Sequence, residues 1–167
     1  KVNPTKEGKM MRNLGKEAVL ACGYGMSWAT FKNRMELTGN AEAAAMAERI
    51  VAAYRNKNNM IVAFWRTAQS ALDAMYAGTE LSFGGPNSDL FLASGNTVFH
   101  GERIPSIKLP NDTYIFYQNL RSELGDDGRI NYVYDQFKGR GFEPKRIWGS
   151  ALVENVCQAL AFAVLKW

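Results

Sequence analysis

Arg12, Lys16, Leu20 and Tyr24 recur at four-residue intervals. On a helix advancing about 100° per residue they fall at about 0°, 40°, 80° and 120°, with Lys9 near 60°, so they form one stripe. Met11, Leu14, Ala18, Ala21 and Cys22 fall between about 180° and 280° on the same wheel and make the face expected to pack. The stripe runs roughly 18 Å from Arg12 to Tyr24 at about 1.5 Å per residue. Two cations at one end, an apolar side chain in the middle and a ring at the other suit a nucleoside triphosphate lying along the helix. Its phosphates would meet Arg12 and Lys16, and its base Tyr24. Arginine forks onto phosphate oxygens, while lysine acts as a mobile point charge. The competing reading is a solvated basic face that ends beside a packed tyrosine.

The elements that must position this stripe are helical. Asn3-Pro4-Thr5 marks a start, and the amphipathic pattern from about Lys6 to Cys22 ends at the breaker Gly23-Tyr24-Gly25. Ser27 caps a second helix that runs to Thr38-Gly39, and Asn40 caps a third through AEAAAMAERIVAAYRNK. The polar stretch Asn56 to Asn59 interrupts it, and a helical period resumes from Met60 to Tyr76. Beyond Gly78, β-branched and aromatic runs alternate with turn chemistry at Gly84-Gly85-Pro86-Asn87, Ser94-Gly95-Asn96, Pro110-Asn111-Asp112 and Gly125-Asp126-Asp127-Gly128. Thr113 to Tyr117 and Ile130 to Phe137 are the clearest strands. A closing helix starts near Ser150, with Glu154 expected in its first turn. The fold class is therefore α+β.

With 167 residues, 47% of them hydrophobic, the chain can bury a core without disulfides or a structural metal. A single histidine, His100, and two distant cysteines, Cys22 and Cys157, exclude a zinc finger and a secreted disulfide framework. His100 lies in no recognisable Ser-His-Asp context. The cysteine usage points to a reducing, intracellular compartment. No apolar run is long enough to span a bilayer, so no membrane partner is expected. The start at Lys1 and the stop at Trp167 inside a helical pattern read as a segment of a longer polypeptide. The net charge of +4 is concentrated in the first 16 residues, which hold Lys1, Lys6, Lys9, Arg12 and Lys16 against Glu7.

The segment RNLGKEAVLACGYGMSWATF resembles the nucleotide-binding helix in the fingers domain of family A DNA polymerases. That family's pattern is Arg, three residues, Lys, seven residues, Tyr-Gly; Arg12, Lys16, Tyr24 and Gly25 match it, and Met26-Ser27 continue the match. IWGSALVENVCQALA is similar to the downstream palm helix of phage-type members, with Glu154, Asn155 and Gln158 in matching places. LPNDTYIFY sits where those enzymes carry a Leu-Pro-(Ser/Asp)-Gly turn and a strand. Three segments in the right order are spread over residues 12 to 161.

The resemblance implies a template-directed DNA polymerase, with dNTP and primer-template DNA as partners alongside the remainder of the polymerase chain. It assigns triphosphate binding to Arg12 and Lys16, packing on the nascent base pair to Tyr24, and the following turn to Gly25. Gln158 would touch the minor groove near the primer end, beside Glu154 and Asn155; acceptors there are common to all base pairs, so the contact checks pair geometry. Leu20 stands where better-known members have Phe or Tyr against the sugar, and Asn111-Asp112-Thr113 replaces the usual Gly-Arg. The implied domains are a helical fingers region at 1–80, a β-rich insertion with palm strands at 81–149 and a palm helix at 150–167. Mg2+ is the implied cofactor, held in the complete enzyme by aspartates of a DYSxxE-like motif and an HDE motif; neither motif occurs in these 167 residues. The implied location is cytoplasmic, in the host cytoplasm for a phage enzyme.

Other features are weaker pointers. Asp126-Asp127 follow a polar run, Arg121-Ser122-Glu123, and read as a turn rather than as paired catalytic aspartates. Gly84-Gly85-Pro86 lacks the Gly-Lys-Ser/Thr of a phosphate loop. Trp28, Phe31, Phe64 and Trp65 sit at helical spacings and are expected in the core. Lys138, Arg140, Lys145 and Arg146 form a second basic cluster, readable as a DNA-backbone contact or a solvated loop. A non-catalytic basic nucleic-acid-binding module is the alternative function, and an α+β interaction domain the third.

Overall fold

The computed structural model describes residues 5–83, 92–125 and 128–166. The chain is α+β, with helices α1 (Lys6–Gly23), α2 (Trp28–Leu37), α3 (Ala41–Ala45), α4 (Ala47–Lys57) and α5 (Asn59–Ala77) first. Strands β1 (Leu81–Phe83), β2 (Leu92–Phe99), β3 (Glu102–Lys108), β4 (Tyr114–Phe116), β5 (Arg121–Leu124), β6 (Ile130–Lys138) and β7 (Gly141–Ile147) follow, and α6 (Gly149–Leu165) closes the sequence. It divides into two compact units, Lys1–Val62 and Ala63–Trp167.

The first unit forms because its helices carry their own start and stop signals. The Thr5 side chain accepts from Gly8 N–H, Ser27 from Thr30 and Asn40 from Ala43, each satisfying a donor that a helix start leaves unpaired. The expected single helix from Ala41 to Lys57 is interrupted at Met46, which has φ −98° and ψ 5°. Around that step Ala43, Ala44 and Ala47 are buried with Phe31, Met35, Val51 and Cys22, so small side chains let the helices approach closely. The core departs from the sequence reading at two places: Met11 and Trp28 are exposed.

The second unit is built on α5. Ala68, Ala71, Leu72 and Met75 pack against Ile107, Tyr117 and Tyr134 of the strand region and Leu152 and Val156 of α6. This attaches most of α5 to the sheets, and the division between units falls inside the helix rather than near residue 80. Two antiparallel sheets follow, in the orders β1-β2-β3-β4 and β5-β6-β7. Ser94-Gly95-Asn96, expected as a turn, lies within β2, opposite Pro105, Ser106 and Ile107 of β3. The ladder overrides local turn preference there, and the buried Ser94 hydroxyl is satisfied by Leu81 O at 3.0 Å. The turn falls instead at His100-Gly101, where His100 has φ 51°.

The turn at Pro110-Asn111-Asp112 forms as expected, with Asp112 N–H donating to Leu109 O. Gly128 N–H donates to Gly125 O between β5 and β6; Asp126, Asp127 and the 84–87 stretch lie outside the described residues. The start of α6 is pressed onto α5. Gly149 N–H donates to Gln69 Oε1 at 2.9 Å, and a Cβ on Gly149 would run into the Trp65 carbonyl oxygen. Only glycine permits that backbone approach.

Candidate functional site

Arg12, Lys16, Leu20 and Tyr24 are all exposed on α1, with Lys9 beside them. Ala21 and Cys22 are buried on the opposite side, with Leu14 and Ala18 packed against the same core. Burial also pushes the Cys22 thiol above its ordinary pKa. The helix thus divides as its periodicity predicts, apart from Met11. Leu20 keeps 48% and Tyr24 53% of its surface accessible, so apolar and aromatic area continues the cationic row.

The far end of the row is locked by backbone geometry. Gly25 N–H donates to Cys22 O at 2.9 Å and Met26 N–H to Ala21 O at 3.1 Å, with Gly25 at φ 76°. This paired closure of a helix C-terminus needs a left-handed residue, which glycine adopts without strain. Gly23 remains inside α1. Ser27 then starts α2 at once, so the turn after Tyr24 is short and held on both sides.

Beside the row lies an open cavity of about 680 Å3 lined by Asn13, Lys16, Glu17, Arg34 and Glu42 among others. Lys16 is the only member of the row on its wall. Arg34 Nη2 and Glu17 Oε2 pair across it at 2.6 Å, which periodicity on α1 alone does not reveal, because the partner comes from α2. Arg12, Leu20 and Tyr24 are exposed outside it.

In the second unit Glu154, Asn155 and Gln158 share one stretch of α6. Gln158 Nε2 donates to Glu154 Oε1 at 3.0 Å, and Asn155 Nδ2 to Tyr117 OH at 3.2 Å. Burial pushes the Tyr117 phenol far above its ordinary pKa, so it stays protonated. Because α6 begins at Gly149, its first turn carries no acid. Glu154 lies one turn further in than expected, and its partner is Gln158 rather than the helix start.

The second basic cluster lies on the β6–β7 hairpin. Lys138, Arg140, Lys145 and Arg146 are all exposed, and Lys138 Nζ pairs with Glu143 Oε2 at 3.2 Å. The sequence reading missed the exposed rings between these cations, Phe137 and Phe142, which the ladder sets opposite each other. The signal was there, since both flank the Gly139-Arg140 turn, but their pairing depends on strand register. Among the described residues no three His, Cys, Asp or Glu side chains converge as a metal site requires, and no helix is long and apolar enough to cross a membrane. Comparison with known proteins finds no protein family, no curated protein and no solved structure that the chain matches.

Proposed function

We propose that this chain is the nucleotide-gripping segment of a template-directed DNA polymerase of the family A, phage-type kind. The observation that carries the reading is the solvent-facing row Arg12, Lys16, Leu20, Tyr24 on α1, closed by Gly25 at φ 76°. In this reading Arg12 and Lys16 hold the triphosphate of an incoming dNTP and offset the charge that grows on it during transfer. Leu20 lies against the sugar, and the Tyr24 ring packs on the nascent base pair. Glu154, Asn155 and Gln158 meet primer-template DNA. Asn155 is oriented for this by Tyr117, whose hydroxyl accepts from its amide.

Polymerases of this kind use two magnesium ions, which activate the primer hydroxyl and stabilise the transferring phosphoryl group. The aspartate motifs that the resemblance assigns to those ions do not occur in these 167 residues, so the roles proposed for this chain are binding and orientation. The test is Lys16→Ala in a polypeptide that joins this segment to the metal aspartates. A charge-assisted phosphate contact contributes about 1.5–3 kcal/mol, so dNTP affinity should fall roughly ten- to hundredfold in single-turnover kinetics. Unchanged kinetics would overturn the assignment.

The exposed cations of the β6–β7 hairpin favour a second reading, a non-catalytic nucleic-acid-binding module. It expects salt-sensitive DNA binding with no dependence on added nucleotide, whereas the polymerase reading expects dNTP to tighten the complex with primer-template.

A further inference from the structure

Within the second unit, β4 and the β6–β7 hairpin border an open cavity of about 380 Å3, inside the roughly 300–1,000 Å3 range of ligand pockets. Three phenylalanines line it, Phe116 from β4, Phe137 from β6 and Phe142 from β7, beside Tyr117 and Tyr134, with Gln118, Gln136 and Asn155 supplying polar groups. Phe137 and Phe142 keep 63% and 58% of their surface accessible. They meet edge to face with centroids 5.5 Å apart. The aromatic surface continues from Phe116 to Tyr114, stacked at 6.0 Å, and to Phe99 at 5.4 Å. Such a run of accessible rings marks a surface that another molecule covers.

The surrounding charge says what kind of molecule that is. Between Gln136 and Arg146 the hairpin carries Lys138, Arg140, Lys145 and Arg146 against Glu143 alone. The carboxylate that lines the cavity, Asp135, is already engaged by Arg121 Nη1 and Asn119 Nδ2, both at 2.9 Å. Hydrogen bonds from Asn119 and Arg121 hold its carboxyl below the usual range, so it is a paired anion with little repulsion left for a phosphate. Rings that offer π faces, set among cations that track a backbone, are how proteins hold single strands without reading sequence. A duplex hides its base faces, and an acidic peptide has no flat ones.

We propose that this cavity takes an unpaired base of single-stranded nucleic acid, stacked against Phe116, Phe137 and Phe142, with Arg146, which the register sets on the same strand face as Phe142, and Arg140 of the turn on the flanking phosphates. The site lies apart in sequence from the α1 row and holds under either function proposed above.

The test measures anisotropy of labelled oligo-dT, an abasic oligonucleotide of equal length and a duplex, each titrated with the whole chain. Oligo-dT should bind about tenfold or more tighter than the abasic strand, the scale of one or two stacked bases. The variant Phe137→Ala/Phe142→Ala should erase that difference. Both side chains are exposed, so the fold should persist, as circular dichroism would verify. Arg140→Gln/Arg146→Gln should weaken both strands alike and flatten the salt dependence. Equal affinity for abasic strand and oligo-dT, or a base-dependent gain that survives loss of both phenylalanines, would overturn the proposal. So would tighter binding of the duplex, phenylalanine-dependent binding of phosphatidylglycerol vesicles, or a loss confined to Arg12→Ala/Lys16→Ala. That last variant reports on the α1 row, so failure of the cavity and failure of the nucleotide reading are separable.

Discussion

The cations of α1 and those of the β6–β7 hairpin stand on scaffolds of different kinds. On α1, residues four apart share a face, so Arg12 and Lys16 align whenever the helix forms, and the helix is specified by the Thr5 cap and the Gly25 closure. On the hairpin, neighbours point to opposite faces. Lys145 sits opposite Tyr134, and Arg146 opposite Val133, so adjacent cations part company and Phe137 meets Phe142 only through the ladder. Even spacing therefore reports a chemical surface on a helix. On a strand, register decides which side chains work together.

The largest expected effect breaks the hairpin's scaffold. β7 runs into α6 through Trp148, and α6 is anchored where Gly149 presses on the α5 backbone. Gly149→Ala should lower stability in urea by more than about 3 kcal/mol, beyond ordinary overpacking, because the obstacle is a carbonyl and not a movable side chain. A loss under about 1 kcal/mol would show that α6 can back away freely, and the hairpin would then not depend on that anchor.

Gly25→Ala attacks the local scaffold of α1. It should cost about 1–2 kcal/mol, the penalty for a side chain in the left-handed region, measured by the same denaturation. A neutral result would mean the turn after Tyr24 is not held at positive φ.

A pH experiment sharpens the packing of the second unit. Tyr132 OH donates to Asp73 Oδ1 at 2.8 Å, and desolvation, followed by that hydrogen bond and the Asp73 charge, pushes the phenol up to about 12. A pKa raised above the ordinary value of about 10 favours the protonated, folded form. The contribution is complete below about pH 10 and is lost as pH rises from there through about 12. Tyr132→Phe should flatten this alkaline arm, and its difference spectrum should lack one late-titrating phenol.

The smallest effect on stability belongs to Leu20→Phe. The side chain is exposed, so the fold should change by no more than about 0.5 kcal/mol. If the α1 row grips a nucleotide, the ratio of dideoxynucleotide to deoxynucleotide incorporation should still shift in a polymerase carrying this segment. Equal ratios would remove Leu20 from the sugar contact.

Much of the first unit was legible from local signals. Ser27 and Asn40 cap where the sequence predicts, and Thr5 caps the start expected at Asn3-Pro4-Thr5, because a side-chain oxygen and a backbone donor three residues on need no distant partner. Met11 and Trp28 misled because amphipathicity gives a packing side without saying how far the neighbours extend over it. Ser94-Gly95-Asn96 misled for a related reason: turn-forming residues join a strand when the ladder on both sides outweighs their preference.

The candidate sites divide the same way. The sequence by itself determined the order of the α1 row, since a fixed helical repeat turns spacing into direction. It also determined where the net charge lies, with all of the excess in the first 16 residues. Only the tertiary structure decided that Glu17 would be held by Arg34, that Gly149 would meet α5, and that Phe116, Phe137 and Phe142 would border one cavity. Those arrangements join residues far apart in the chain, and their geometry is set by strand register and core packing rather than by any local repeat.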